Sequence, residues 1–273
     1  MHRHRRCRVC PIGSSHVKVP PSDGARDAFP QDTLPREALE PHTREALTEH
    51  LSVHLTQRRL QRMRTVLAQR TRRLTVVLED IYQPHNASAV LRSCECFGIQ
   101  DVHIIEDRNQ YTISRDVALG ASRWLDLHRW QATAAHTIDD CCDELTDRGY
   151  RLVAATPRQD AVPLEDFDVG AGPVAVMFGT ELNGLTPAAL ERAKEAVHIP
   201  MHGFTESFNI SVSAALILRE LSARMRSSGL PWQLDDDDSR DLLLRWMRRS
   251  IKNSDHLIER FLAENAAGRA AGH

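Results

Sequence analysis

The chain lacks any apolar run approaching the roughly 20 residues that a membrane-spanning helix needs. Its arginine-rich start also lacks the uninterrupted apolar segment of a secretory leader. A soluble, cytoplasmic protein is therefore expected. Disulfide spacing is missing as well: the six cysteines fall as Cys7 and Cys10, Cys94 and Cys96, and Cys141 and Cys142, and read as free thiols. Cys7 and Cys10 have the spacing of half a zinc site, but no second pair follows at a plausible distance, so no metal centre is expected. Nor is there a strong net charge. The 35 Lys and Arg against 37 Asp and Glu leave a formal charge of -2, which argues against wholesale coating of nucleic acid.

Two nucleotide motifs are absent too. No G-x-G-x-x-G follows an expected strand, so a dinucleotide-binding dehydrogenase has little support. Gly179 and Gly184 have the G-x-x-x-x-G spacing of a phosphate loop, but Leu185 stands where the lysine must be, and the nucleotide-hydrolase reading fails.

What is present is unevenly distributed. Between Gln57 and Arg73 lie seven arginines (58, 59, 62, 64, 70, 72, 73) and no acid, whereas Asp235 to Asp238 is an unbroken acidic run. Such a basic stripe is either a solvated helix face or a surface that neutralises phosphates. Residues 1–40 mix Pro, Gly, Ser and charge without periodicity and read as a disordered extension. The spacing of Leu47, Leu51, Leu55, Leu60, Met63 and Leu67 predicts one or two amphipathic helices within 41–72. Short apolar runs at 74–78, 102–105, 152–155, 174–178 and 197–199 then alternate with helical stretches at 87–97, 136–148, 187–194 and 211–226. Strands separated by helices imply an α/β fold, a parallel sheet covered on both faces. After Gly229 and Pro231 a helical appendage is expected, acidic where it starts and carrying Arg248 and Arg249 near its end. The organisation read from these patterns is an extension at 1–40, a basic helical segment at 41–72, an α/β domain at 73–226 and a helical extension at 227–273.

Three segments place polar and small residues where strands end, which is where open parallel sheets bind ligands. The first runs from Pro84 through Asn86 and Ser88 to Arg92; read alone, Asn86 is equally a helix N-cap and Arg92 a surface cation. The second, Gly179-Thr180-Glu181-Leu182-Asn183-Gly184-Leu185, is a backbone-lined turn able to approach a ligand closely. The third runs from Ile199-Pro200-Met201 through Ser207-Phe208-Asn209 to Ser211-Val212-Ser213-Ala214-Ala215, a helix start whose small residues suit close packing.

In this order and spacing the three segments closely resemble the signature motifs of the SPOUT superfamily, in its TrmH-like branch, over residues 58–225. The resemblance implies a deep trefoil knot near the C-terminal end, S-adenosylmethionine held by the knot's loops, an obligate homodimer, and methylation of a ribose 2′-hydroxyl in RNA. Carried onto this sequence, it implies that Arg92, Asn86, Ser207 and Asn209 perform or orient the transfer. It places Ala154, Thr156, Gly179, Glu181, Ile199, Met201 and Phe208 at the cofactor. Phe208 departs from the leucine usual in the family at that position. Guanidinium groups stay protonated in proteins, so Arg92 is expected to stabilise a developing alkoxide and grip the adjacent phosphate rather than remove a proton. The flanking extensions look like the family's RNA-binding ones, with Arg58, Arg59, Arg62 and Arg70 as the expected contacts. A basic helix in place of a folded RNA-binding domain favours tRNA, with a D-loop guanosine as the expected target. A ribosomal RNA site, or a noncatalytic RNA-binding protein of the same fold, are the alternatives.

Overall fold

A computed structural model describes residues 40–109, 115–118, 120–131, 137–158 and 160–270. The expected N-terminal extension and Cys7 and Cys10 lie outside the described residues. Two helices lead, α1 (Pro41–Ser52) and α2 (Gln57–Leu67). Proline opens α1 where a missing N–H costs nothing, and the Thr56 side chain caps α2 by accepting the Arg59 N–H. The core then runs β1 (Leu74–Glu79), α3 (Pro84–Phe97), β2 (Asp101–Glu106), α4 (Arg115–Ala118), β3 (Asp126–Gln131), α5 (Thr137–Asp147), β4 (Arg151–Ala155), β5 (Val162–Pro163), β6 (Val174–Phe178), α6 (Pro187–Arg192), β7 (Glu195–His198) and α7 (Ile210–Ser227). Helices α8 (Asp236–Ser250) and α9 (Ser254–Ala270) follow. Among the described residues, no helix is long and apolar enough to cross a membrane.

Among the described residues seven strands pair in parallel, in the order β3-β2-β1-β6-β4-β7-β5. Central β1 is buried along its whole length, with Val76 level with Val102 on one side and Val176 on the other. Its side chains alternate between two cores. Leu74, Val76 and Leu78 face α3 and α7 through Val90, Leu91, Ile217 and Leu218, while Val77 faces α5 and α6 through Cys142, Leu145 and Ala189. Strand β6 returns late in the chain to lie between β1 and β4, so the carboxyl ends of strands from both halves of the sheet converge there.

Several sequence expectations are corrected. Strand β3 was not expected; it lies at the sheet edge and is only partly buried. Strand β5 is a two-residue pairing that includes Pro163. The helical C-terminal appendage divides into α8 and α9 where Asn253 takes a left-handed φ of 56°. Helix α3 starts at Pro84, not 87, and Gln83 precedes it, so Asn86 lies inside the first turn and is not the N-cap.

The flanking helices form one layer. Leu47, Leu51, Leu60 and Met63 are buried where α1 and α2 pack on α8, which contributes Leu244 and Met247. Charge fastens this layer to the amino ends of β2 and β3. Arg72 pairs with Asp101 and, at 2.8 Å, with Asp126; Arg245 of α8 reaches Asp126 at 2.7 Å. Asp101 also meets His128 Nε2 at 2.8 Å. Burial alone would raise the Asp101 carboxyl, yet His128 and Arg72 together hold it well below the usual carboxylate range. His103 stacks on His128 with ring centroids 4.5 Å apart, and its Nδ1 accepts from Trp130 Nε1 at 3.3 Å. Burial first, then the neighbouring His128, push His103 down to about 3.

An imidazole with a depressed pKa is protonated in the unfolded chain before the folded one, so folding stability falls as pH drops from about 6.5 toward 3. Asp101 acts in the same direction only at lower pH, below the ordinary carboxylate range. We expect about 2 kcal/mol of stability to be lost between pH 7 and 5 through His103. Urea unfolding at both pH values checks this, and His103→Gln should flatten the slope between them.

Candidate active site

At the carboxyl edge, three motif residues meet across three segments. Asn86, from the first turn of α3, donates its Nδ2 to Glu181 Oε1 at 2.5 Å, and its Oδ1 accepts from Asn209 Nδ2 at 3.3 Å. Asn209 caps α7: its Oδ1 accepts the Ser211 backbone N–H at 2.8 Å and the Ser211 hydroxyl at 2.6 Å. This chain of bonds has a fixed sense. A backbone N–H can only donate, so it holds the Asn209 oxygen toward Ser211 and turns the amide nitrogen toward Asn86. Asn86 must then present its oxygen to Asn209 and its nitrogen to Glu181, an acceptor when ionised.

The turn that carries Glu181 is tightly closed. Thr180 and Gly184 exchange two backbone hydrogen bonds of 2.9 Å, and Gly184 adopts φ +67°. A Cβ on Gly179 would lie 2.1 Å from the Gly184 carbonyl carbon, so the chain can fold over position 179 only because glycine is there. The far end of the turn is anchored on β1. Glu79 Oε2 accepts the Thr186 N–H at 2.8 Å and Glu79 Oε1 accepts the Thr186 hydroxyl at 2.6 Å, while the same hydroxyl caps α6 by accepting Ala189 N–H. Burial pushes the Glu79 carboxyl up, and the two Thr186 donors oppose it. Sequence reasoning missed Glu79. The available signal was an acid closing an otherwise apolar strand, a place where a carboxylate must find donors.

The remaining candidates are placed less uniformly. Ala154 is buried, its side chain packed into the α5 and α6 core, so it offers a ligand only its backbone. Thr156 N–H donates to Val197 O at 3.0 Å, joining the loop after β4 to β7. Ile199 and Met201 are half-buried, whereas Ser207 and Phe208 are exposed, Phe208 at 43%. Arg92 is exposed on α3 and makes no ion pair among the described residues. Six residues beyond Asn86, it lies about 9 Å further along the helix and about 120° around it, and among the described residues it makes no hydrogen bond or ion pair with Asn86, Glu181 or Asn209. Within one chain the structure therefore gathers the asparagines with Glu181 and leaves Arg92 apart.

The basic stripe divides. Arg58, Arg59 and Arg62 are exposed on α2, with Arg59 stacked 5.3 Å over Trp124. Arg70 is corrected from the surface set: it is fully buried, bonded to Glu95 at 3.1 Å and to Ile99 O, and stacked 5.3 Å over Trp246.

A parallel sheet with glycine and asparagine turns at its carboxyl edge is an arrangement that binds ligands there. Residues 73–219 match the SpoU rRNA Methylase family, and the chain belongs to that family. It is 39% identical over 203 residues to the tRNA (guanosine(18)-2'-O)-methyltransferase of Borreliella burgdorferi, covering 74% of this chain and 90% of the relative. It is 33% identical over 197 residues to the enzyme of the same name from Thermus thermophilus, covering 71% and 98%. Among solved structures, the TrmH/SpoU tRNA modifying enzyme of Aquifex aeolicus superposes with a TM-score of 0.64 at 25% identity, over 72% of this chain and 98% of that one. The SpoU methyltransferase AviRb of Streptomyces viridochromogenes, solved with the cofactor AdoMet, shares the fold at a TM-score of 0.50 and 24% identity, over 60% and 64%.

Gly179→Ala is expected to force the 179–184 turn apart and cost about 1–3 kcal/mol. Amide hydrogen exchange at Thr180 and Gly184 should quicken in that variant; unchanged protection would show that the turn absorbs the methyl group elsewhere.

Proposed function

We propose that this chain transfers the methyl group of S-adenosylmethionine to a ribose 2′-hydroxyl in tRNA, with a D-loop guanosine as target. The observation that carries the reading is the directed Asn209–Asn86–Glu181 chain at the carboxyl edge of a SpoU methylase fold. Relatives named for guanosine-18 methylation, matched over most of their length, support the choice of tRNA.

The residues present fit the donor. An adenosine needs apolar faces, and the loops at 154–157, 179–181, 199–201 and 207–209 offer a glycine turn and the side chains of Ile199, Met201 and Phe208. When bound, S-adenosylmethionine supplies an already activated methyl group, so the protein's task is alignment and charge. Alignment alone is worth about 7–11 kcal/mol in favourable cases. Asn86 Oδ1 has a second lone pair with which to accept the 2′-hydroxyl, and Ser207 and Asn209 border the same loop. Arg92 stabilises the negative charge that develops on the attacking oxygen and holds the neighbouring phosphate.

Because Arg92 is separated from the cluster in its own chain, we assign it to the site of a second copy. Helix α7 supports this: Val212 and Leu216 are 44% and 42% exposed on a helix that packs beside α3, leaving an apolar strip for a partner. A knotted ending to the domain, which the resemblance to the SPOUT superfamily implies, belongs to the same proposal. RNA binding falls to Arg58, Arg59 and Arg62. Arg62 also lines a groove of about 650 Å³ together with Arg70, Arg219 and Arg226, and the one acid in its lining, Glu95, is paired with Arg70.

Arg92→Ala should abolish methyl transfer and leave S-adenosylmethionine affinity near wild type by calorimetry; parallel loss of both would reassign the residue to folding or to the donor pocket. Mapping ribose methylation by mass spectrometry in cells with and without the protein names the target, and an intact tRNA methylation pattern would sink the reading. Removing Arg58 and Arg62 together should lower the slope of log affinity against log salt by about 2, measured by tRNA titration across salt concentrations.

A further inference from the structure

Resting on the methyltransferase reading above, the geometry points to Glu79 as a positioning residue that holds the donor-binding turn in register with the RNA-facing start of α3. Glu79 is 4% exposed, and both carboxyl oxygens are taken by one residue, Thr186, through its N–H at 2.8 Å and its hydroxyl at 2.6 Å. Thr186 closes the turn that begins at Gly179 and carries Glu181. The chain leaving Glu79 runs directly into α3, which carries Asn86 and Arg92.

Two ties therefore join the same pair of segments. One is the Asn86–Glu181 bond at the rim, and the other is the Glu79–Thr186 bond pair beneath it. A single tie leaves the turn able to pivot; two fix both its distance and its tilt. The neighbouring backbone is held in the same way. Asp80, at φ 51°, has its carboxylate bonded to the backbone N–H groups of Arg108 at 2.9 Å and Asn109 at 2.7 Å, so the strand end itself is pinned to the loop after β2. Glu79 is thereby presented from a fixed base and touches neither of the reacting partners.

The test uses the full chain, S-adenosylmethionine and an unmodified tRNA transcript. Glu79→Met keeps the bulk and removes both acceptors. It should raise KM for S-adenosylmethionine at least tenfold while KM for tRNA stays within twofold. Glu79→Gln should restore donor KM to within about threefold, because a Gln oxygen accepts the Thr186 N–H and its amide nitrogen donates to the Thr186 hydroxyl. Amide exchange in peptides spanning 179–186 should quicken in the methionine variant, with β1 and β6 unchanged. Should Glu79→Met not fold, Thr186→Ala against Thr186→Ser gives the same comparison from the other side, with serine retaining donor KM and alanine raising it. Unchanged donor KM, or an equal rise in both KM values, overturns the inference while leaving the methyltransferase reading in place. A wild-type chain that transfers no methyl group overturns both.

Discussion

One backbone N–H governs the orientation of the site. Ser211 is the second residue of α7, and its amide has no carbonyl partner within its own helix. Asn209 satisfies it with its side-chain oxygen, which is ordinary capping. The consequence travels further than the cap. Because that oxygen is committed, the Asn209 nitrogen must face Asn86, and Asn86 must face Glu181. A helix terminus thus sets the donor and acceptor pattern of three side chains drawn from three segments. Preorganisation of this kind is where such a site gains, since the orienting cost is met during folding.

The opposite end of the sheet shows what arginines do when charge is used for assembly. Arg70 and Arg72 belong to the same acid-free stretch as Arg58 and Arg62, yet the first two are drawn inward by Glu95, Asp101 and Asp126. Buried pairs of this sort contribute little net stability, because desolvation offsets attraction, but breaking one is costly. Their effect is to fix how the layer of α1, α2 and α8 lies on β2 and β3. The arginines left outside then present charge from a rigid surface, which is the condition for phosphate contacts with a defined position.

Much of this was legible in the residues. Five strands and four core helices followed from apolar runs and helical spacing, because a buried parallel sheet writes continuous apolar segments into the chain. Strand β3 escaped because four of the six residues of its DLHRWQ sequence are polar and it lies at an edge, where one side of the backbone needs no partner. Asn86 was ambiguous because an asparagine near a helix start favours the cap, and only the proline two residues earlier marks the true first turn. Arg70 was not separable from Arg62 by any local rule; burial is decided by Trp246 and Glu95, which are distant in sequence. Glu79 was passed over for the same reason, as its partner lies more than a hundred residues away. The motifs therefore singled out Asn86, Glu181 and Asn209, and only long-range contacts show that these three side chains meet.

The two halves of the proposed site are built on different physical terms. The asparagine and glutamate half is tied at several points, with a glycine turn that tolerates no side chain at 179 and a buried carboxylate beneath it. The arginine half is one exposed side chain on a helix face, free of ion pairs among the described residues. A rigid half suits a small ligand that must be held to a fraction of an ångström. An exposed guanidinium suits a phosphate that arrives with a large RNA, since its donors remain unspent until that partner is present. If both halves were fixed within one chain, RNA entry would have to open a closed pocket. In the site proposed above, dividing them between two copies would leave the donor side formed in advance and let docking of the substrate complete the charge at the reacting oxygen.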